Sequence, residues 1–155
     1  MAMRTVTEAL YRIFVVVWVG GLLAIGYLAA PVLFASLNDR TLAGEVAGKL
    51  FALIGWVGLA AGSYLSLFLI GRWRAAVFKR AVFWLVLLML GMTAAQLFGI
   101  QPLMAQLKLD ALPREVMESV LRDRFATWHG VASILYLVES LLGLWLVVWT
   151  ERGLR

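Results

Sequence analysis

The chain has 155 residues, no cysteine, a hydrophobic fraction of 63%, a mean hydropathy of +0.91 and a formal net charge of +5. An apolar share so far above the ~45–50% of soluble domains excludes an ordinary water-soluble globule. The missing thiols exclude disulfides, thiolate metal sites, iron–sulfur clusters and cysteine catalysis.

The few charges are segregated, which leaves apolar stretches at residues 13–37, 50–70, 81–100 and 130–149. Each is long enough to cross a hydrocarbon core of ~30 Å, for which a helix needs about 20 residues. The expected fold is all-α: a polytopic membrane four-helix bundle forming one domain over residues 1–155. Residues 1–12 followed by an apolar run suggest a signal peptide, but the run exceeds an h-region and Pro31 follows the only small-residue cleavage site. The segment is therefore expected to stay as the first span.

That first span holds Gly20, Gly21, Gly26 and Pro31. Glycine lets membrane helices approach closely, while Pro31 removes one intrahelical hydrogen bond and crowds the carbonyl of Tyr27. A kink near Tyr27 follows, serving either packing or a polar cavity lined by the freed carbonyl. Asn38 and Asp39 are suited to cap a second helix starting near Arg40. Along it Gly44, Gly48, Ala52, Gly55, Gly58 and Gly62 recur near helical spacing, a face for close contact within the chain or, alternatively, in a homodimer. The hydroxyls of Ser63, Tyr64 and Ser66 can be satisfied by helix carbonyls.

Residues 71–80, GRWRAAVFKR, read as a basic turn with Trp73 and Phe78 at the interface. The third span sets Met89, Met92, Thr93 and Gln96 on one face. The two thioethers can bind Cu(I) or fill gaps in the core. Beyond it, Pro102 marks a break or kink, and Asp110 and Pro113 mark a turn. Val116, Met117, Val120, Leu121 and Phe125 then share a face opposite Glu115, Glu118, Arg122 and Asp123, predicting a short amphipathic helix between the third and fourth spans. Such a helix lies on the outer membrane surface or caps the bundle mouth.

The fourth span carries the costliest residue. His129, Ala132, Ser133, Tyr136, Glu139, Ser140 and Gly143 recur every three or four positions, a polar and small-residue stripe expected to face the other helices. A charged side chain at mid-membrane costs ~2.5–3.5 kcal/mol or more unless neutralised, paired or wetted. No lysine or arginine lies in the apolar cores to pair with Glu139. It therefore either binds a proton or cation in a polar cavity or forms a structural hydrogen bond with Tyr136, Ser140, Thr93, Gln96 or a backbone carbonyl. His129 stands ten residues away, about 15 Å along the axis. It is either interfacial or a second level of one polar path.

Arg4, Arg12, Arg72, Arg74, Lys79, Arg80, Arg152 and Arg155 gather on one side against only Glu8 and Glu151, whereas charges on the other side balance. By the preference of basic residues for the cytoplasm, both termini are cytoplasmic and the location is the bacterial inner membrane. The pI near 10.1 then reflects topology and contact with anionic headgroups, not nucleic-acid binding. No phosphate loop, metal-spaced histidine pair or serine–histidine–acid set is present, so no enzyme is expected. No cofactor is expected either. A single histidine rules out bis-histidine haem within one chain, leaving haem by His–Met ligation or a shared site, or copper at Met89, Met92 and His129, as alternatives.

The run from Gly20-Gly21 through Gly26 to Ala30-Pro31-Val32-Leu33-Phe34, then Ala43-Gly44, Ala47-Gly48 and Leu50-Phe51, resembles small four-helix membrane proteins related to a vertebrate transmembrane protein linked to cisplatin resistance. Gln101-Pro102, Phe125, His129-Gly130 and Gly143-Leu144 extend the likeness over nearly the whole chain. A more remote similarity is to four-helix copper-resistance and haem-biosynthesis membrane proteins. The leading expectation is an intramembrane polar site, made by Glu139 with Tyr136, Ser140, His129, Gln96 and Thr93, that binds or passes a proton, cation or small solute. The alternative from another class is an accessory subunit docking a larger membrane complex through its glycine face.

Overall fold

A computed structural model describes residues 2–112 and 115–154, with side chains of residues 2–5, 152 and 153 outside the description. The charges counted at Arg4, Arg114, Arg152 and Arg155 and the turn expected at Pro113 thus lie outside the described residues. Among the described residues there are four helical rods, each long and apolar enough to cross a membrane.

The first span is built from α1 (Ala2–Ala24), a π-helical turn at Ile25–Ala29 and α2 (Ala30–Ser36). The second is α3 (Arg40–Trp73), opened by Asp39, whose carboxylate accepts the Thr41 and Leu42 N–H groups at 2.8 and 3.0 Å. This cap satisfies two of the N–H groups that a helix start leaves free. The third comprises α4 (Ala81–Ala95), a second π turn at Gln96–Ile100 and α5 (Gln101–Ala111), and the fourth is α6 (Arg122–Leu154). Successive spans pack on one another and the fourth returns to the first, giving a closed ring of four.

The kink expected at Pro31 takes a definite form. Ala30 N–H reaches back five residues to the Ile25 carbonyl, and Gln101 N–H does the same to Gln96. Each π turn stands immediately before an Xaa-Pro pair, Ala30-Pro31 or Gln101-Pro102. An i→i−5 turn widens the helix ahead of proline, so the missing N–H and bulky ring are absorbed without ending the rod. Pro102 is therefore no break, and the third span continues to Ala111.

A short helical element does lie between the third and fourth spans, but it is a single 3-10 turn, Val116–Glu118, rather than an amphipathic helix reaching Phe125. Ser119 ends it: its hydroxyl donates to the Val116 carbonyl at 2.8 Å and accepts the Leu121 N–H at 3.1 Å. Such a side chain competes with helix hydrogen bonding. Phe125 belongs to α6, and Val120 stands 99% exposed instead of sharing a buried face. The basic segment is likewise more ordered than a plain turn, forming a 3-10 helix at Arg74–Lys79. Arg80 lies 3.6 Å from the centroid of the Trp73 ring, a cation–π contact.

The core is uneven along the bundle axis. Toward the end holding the two termini, Tyr11, Val15, Trp18, Leu65, Val86 and Leu146 are at most 1% exposed. There Glu8 pairs with Arg72 at 3.0 Å, and Arg72 also donates to the Leu154 carbonyl, tying three spans together. A Cβ added at Gly58 would lie 2.6 Å from Trp18 Nε1, and one at Gly62 3.0 Å from the same indole. These two glycines admit the ring. Gly55 also packs closely, against Leu97 at 3.1 Å, but Gly44 has only Phe34 at 3.9 Å and Gly48 has nothing within 4 Å. The small-residue stripe therefore closes one half of the bundle and leaves the other open.

Candidate functional site

The open half encloses a cavity of about 390 Å³. Its walls come from all four spans, and the two π turns form part of them through Gly26, Tyr27 and Gln96. From α3 come Gly48 and Phe51, and from α5 Gln101 and Met104. The fourth span contributes His129, Ser133, Tyr136 and Glu139, spaced so that one helix face runs the length of the cavity.

Glu139 lies at its deep end, 1% exposed. Below it Trp18, Val19 and Met89 belong to the packed core. The Thr93 hydroxyl is 2.5 Å from Glu139 Oε1, and Gln96 Nε2 donates to Oε2 at 3.5 Å. The same Thr93 oxygen is 3.0 Å from the Met89 carbonyl. A threonine hydroxyl has one proton and can donate only once. Both short contacts are satisfied when Thr93 donates to Met89 and a neutral Glu139 carboxyl donates to Thr93. With an ionised Glu139, Thr93 instead donates to the carboxylate and the Met89 contact is given up. One hydroxyl rotor thus accommodates either protonation state.

Tyr136 takes a different partner from the one the stripe suggests. Its hydroxyl donates to the Leu22 carbonyl of the first span at 2.7 Å, and its ring lies over Gly26, where an added Cβ would meet the ring at 2.3 Å. Phe51 meets Tyr136 edge-on at 5.1 Å between centroids, and Tyr27 stands 6.4 Å from it. An aromatic wall is the result.

The structure brings Glu139, Thr93 and Gln96 into contact and sets Tyr136 and His129 on the same cavity. His129 is exposed at the far end and stacks on Phe125 at 6.2 Å, in keeping with a second level and no contact with Glu139. Ser140 is buried but donates to the Tyr136 carbonyl of its own helix at 2.8 Å, outside the cavity lining. Met89 is fully buried in the core, whereas His129 lies at the cavity's other end, so the thioether–imidazole set is not assembled. Among the described residues there is no group of three or more His, Cys, Asp or Glu suited to a metal ion. Tyr27, Phe51, Gln101 and Met104 were not singled out as wall residues by the sequence. Tyr27, four before Pro31, was marked only through its carbonyl.

This geometry defines a multi-pass membrane protein with an internal network of buried polar side chains facing a cavity. The model of the family described as "Domain of unknown function (DUF4149)" matches residues 13–113, and the chain belongs to that family. The matched stretch runs from within the first helical rod through the third; the fourth, with Glu139, lies beyond it. Comparison with curated proteins and with solved structures gave no match. Four apolar spans and this membership make it a multi-pass inner-membrane protein.

Proposed function

We propose that the protein is a non-enzymatic membrane carrier or receptor whose cavity binds or passes a proton, a cation or a small solute at Glu139. A single observation carries this reading: a carboxyl 1% exposed ends a cavity of about 390 Å³, and no lysine or arginine is among the described residues lining it. A structural glutamic acid needs only its hydrogen bonds. Here those bonds border a space large enough for a small molecule, whose usual range starts near ~300 Å³. The π turns support the reading, since such turns recur at functional sites.

The cavity lining runs from buried Glu139 to exposed His129, toward the end of the bundle away from the termini. With both termini cytoplasmic, as the distribution of Lys and Arg favours, that end faces the external side. Kinship with the proteins linked to cisplatin resistance belongs to the same proposal and rests on the residues around Pro31 and His129-Gly130.

Thermal unfolding in detergent checks the role of Glu139, using alkali cations, alkylammonium ions and neutral alcohols as probes. At least one probe is expected to raise the wild-type midpoint and leave Glu139→Gln unmoved. Equal responses of the two proteins, or no response from the wild type to any probe, reject it.

A further inference from the structure

The walls of the cavity narrow the class of ligand, given the reading above that Glu139 faces one. We infer that the cavity takes a small organic cation with an apolar body, an alkyl- or arylammonium ion, in exchange for one proton held by Glu139.

Charge comes first. Among the described residues Glu139 is the sole acid lining the cavity and no basic residue other than His129 does so, which disfavours anions. A bare divalent ion fares poorly as well, because calcium takes six to eight oxygen ligands and magnesium octahedral ones. At its floor the cavity offers Glu139, Thr93 and Gln96, and above them it turns apolar and aromatic. Tyr27, Phe51 and Tyr136 come from two other spans and the same helix as the acid. Aromatic rings attract an organic cation through their quadrupoles and accept its apolar body at the same time. Leu22, Ile54 and Leu137 complete a wall that a hydrated metal ion cannot use.

The proton follows from Thr93. In the neutral arrangement the Glu139 carboxyl donates to Thr93, which donates to the Met89 carbonyl. An arriving cation favours the carboxylate: the O–H bond of Glu139 breaks, its proton leaves through the cavity to solvent, and Thr93 turns its hydroxyl toward Oε1. One positive charge enters and one leaves, so the buried charge balances. The titratable groups sharing the cavity are Tyr27 from the first span and Tyr136 and His129 from the fourth. The second span contributes none, and the third offers Thr93, Gln96, Gln101 and Met104, which do not titrate.

Isothermal titration calorimetry in zwitterionic-lipid nanodiscs tests the inference with benzyltrimethylammonium and its neutral carbon isostere, neopentylbenzene. The charge of the first does not change with pH, so any pH dependence belongs to the protein. Wild-type protein is expected to bind the cation at least tenfold more tightly than the isostere, and about tenfold more tightly per unit rise in pH while Glu139 remains protonated in the free protein. Runs in phosphate and Tris should show one proton released per cation bound. His129→Asn should keep that release, and Glu139→Gln should lose both the release and the preference for charge.

The charge preference and the pH slope are read on the wild type and need no variant to fold. Equal binding of the two probes, or cation binding independent of pH, overturns the inference. If the isostere is preferred and Glu139→Gln abolishes its binding, the organic-cation class falls while the site at Glu139 stands. If Glu139→Gln leaves all binding unchanged, both fall.

Discussion

The two halves of this bundle are cut from the same four helices yet solve opposite problems. Toward the termini, Trp18 lies against Gly58 and Gly62, and the core is sealed. Toward the other end, Gly48 meets nothing within 4 Å and the same helices diverge around a cavity of about 390 Å³. Lipid supplies no hydrophobic force between membrane helices, so a tight half must come from shape and a hollow half from withholding it. A small residue does not by itself mean contact. Its partner decides, and the partner here is one indole.

The sharpest way to break this contrast is to remove that indole. Trp18→Ala is expected to cost ~3–5 kcal/mol, in line with large truncations in a packed core, measured by thermal or denaturant unfolding in detergent. Trp18→Phe should cost clearly less, because the indole Nε1 is buried with no hydrogen-bond partner among the described residues. Equal losses would show that the full breadth of the indole, which a phenyl ring does not fill, secures the floor.

The same exchange made twice on α3 tests the halves against each other. Gly58→Ala should destabilise by ~1–3 kcal/mol, as overpacking does, since its Cβ would meet Trp18 at 2.6 Å. Gly48→Ala should be neutral or stabilise by up to ~1 kcal/mol, because alanine is the better helix former. Matching signs in parallel melts would erase the distinction.

Smaller effects follow at the boundary and the rim. Thr93→Val removes the hydroxyl that bridges Glu139 and Met89, and ~1–3 kcal/mol should be lost for a buried polar group left unmet. Thr93→Ser should recover most of that loss in the same melts; failure to do so would assign the effect to the methyl group. Arg12→Gln breaks an exposed pair with Glu151, 3.2 Å apart and more than half exposed on both sides. Its cost should stay within ~0–1 kcal/mol and vanish at high salt.

Much of this was legible beforehand because membrane crossing needs uninterrupted apolar length. Each of the four apolar stretches falls in one helical rod, the first overrunning its rod only at Leu37, and the cap at Asp39 and the start at Arg40 stand where local chemistry puts them. The isolation of Glu139 from basic partners was also readable, as were Thr93 and Gln96 among its possible partners. Choosing them over Tyr136 and Ser140 required the packing angle between the third and fourth spans, which periodicity does not carry. Pro102 could be read only as a break or a kink for a related reason. Proline signals a lost hydrogen bond, but whether the rod stops or widens depends on the residues ahead of it. Phe51 entered only through the family likeness, for an aromatic residue on a membrane helix looks the same facing lipid or a cavity.

The paired π turns carry a consequence for how the chain tolerates change. An α-helix turns about 100° per residue, and each π turn holds one residue more than a regular turn would. Deleting any one residue from Ile25–Ala29 would return the segment to α geometry with the helix before and after it still in register, but would remove the widening that accommodates the Pro31 ring. The loss of one residue would then narrow the cavity wall at Gly26 and Tyr27 while leaving the faces on either side unturned. A single deletion inside either π turn should therefore be tolerated better than one in the regular helix on either side, where every later side chain would swing by about 100°.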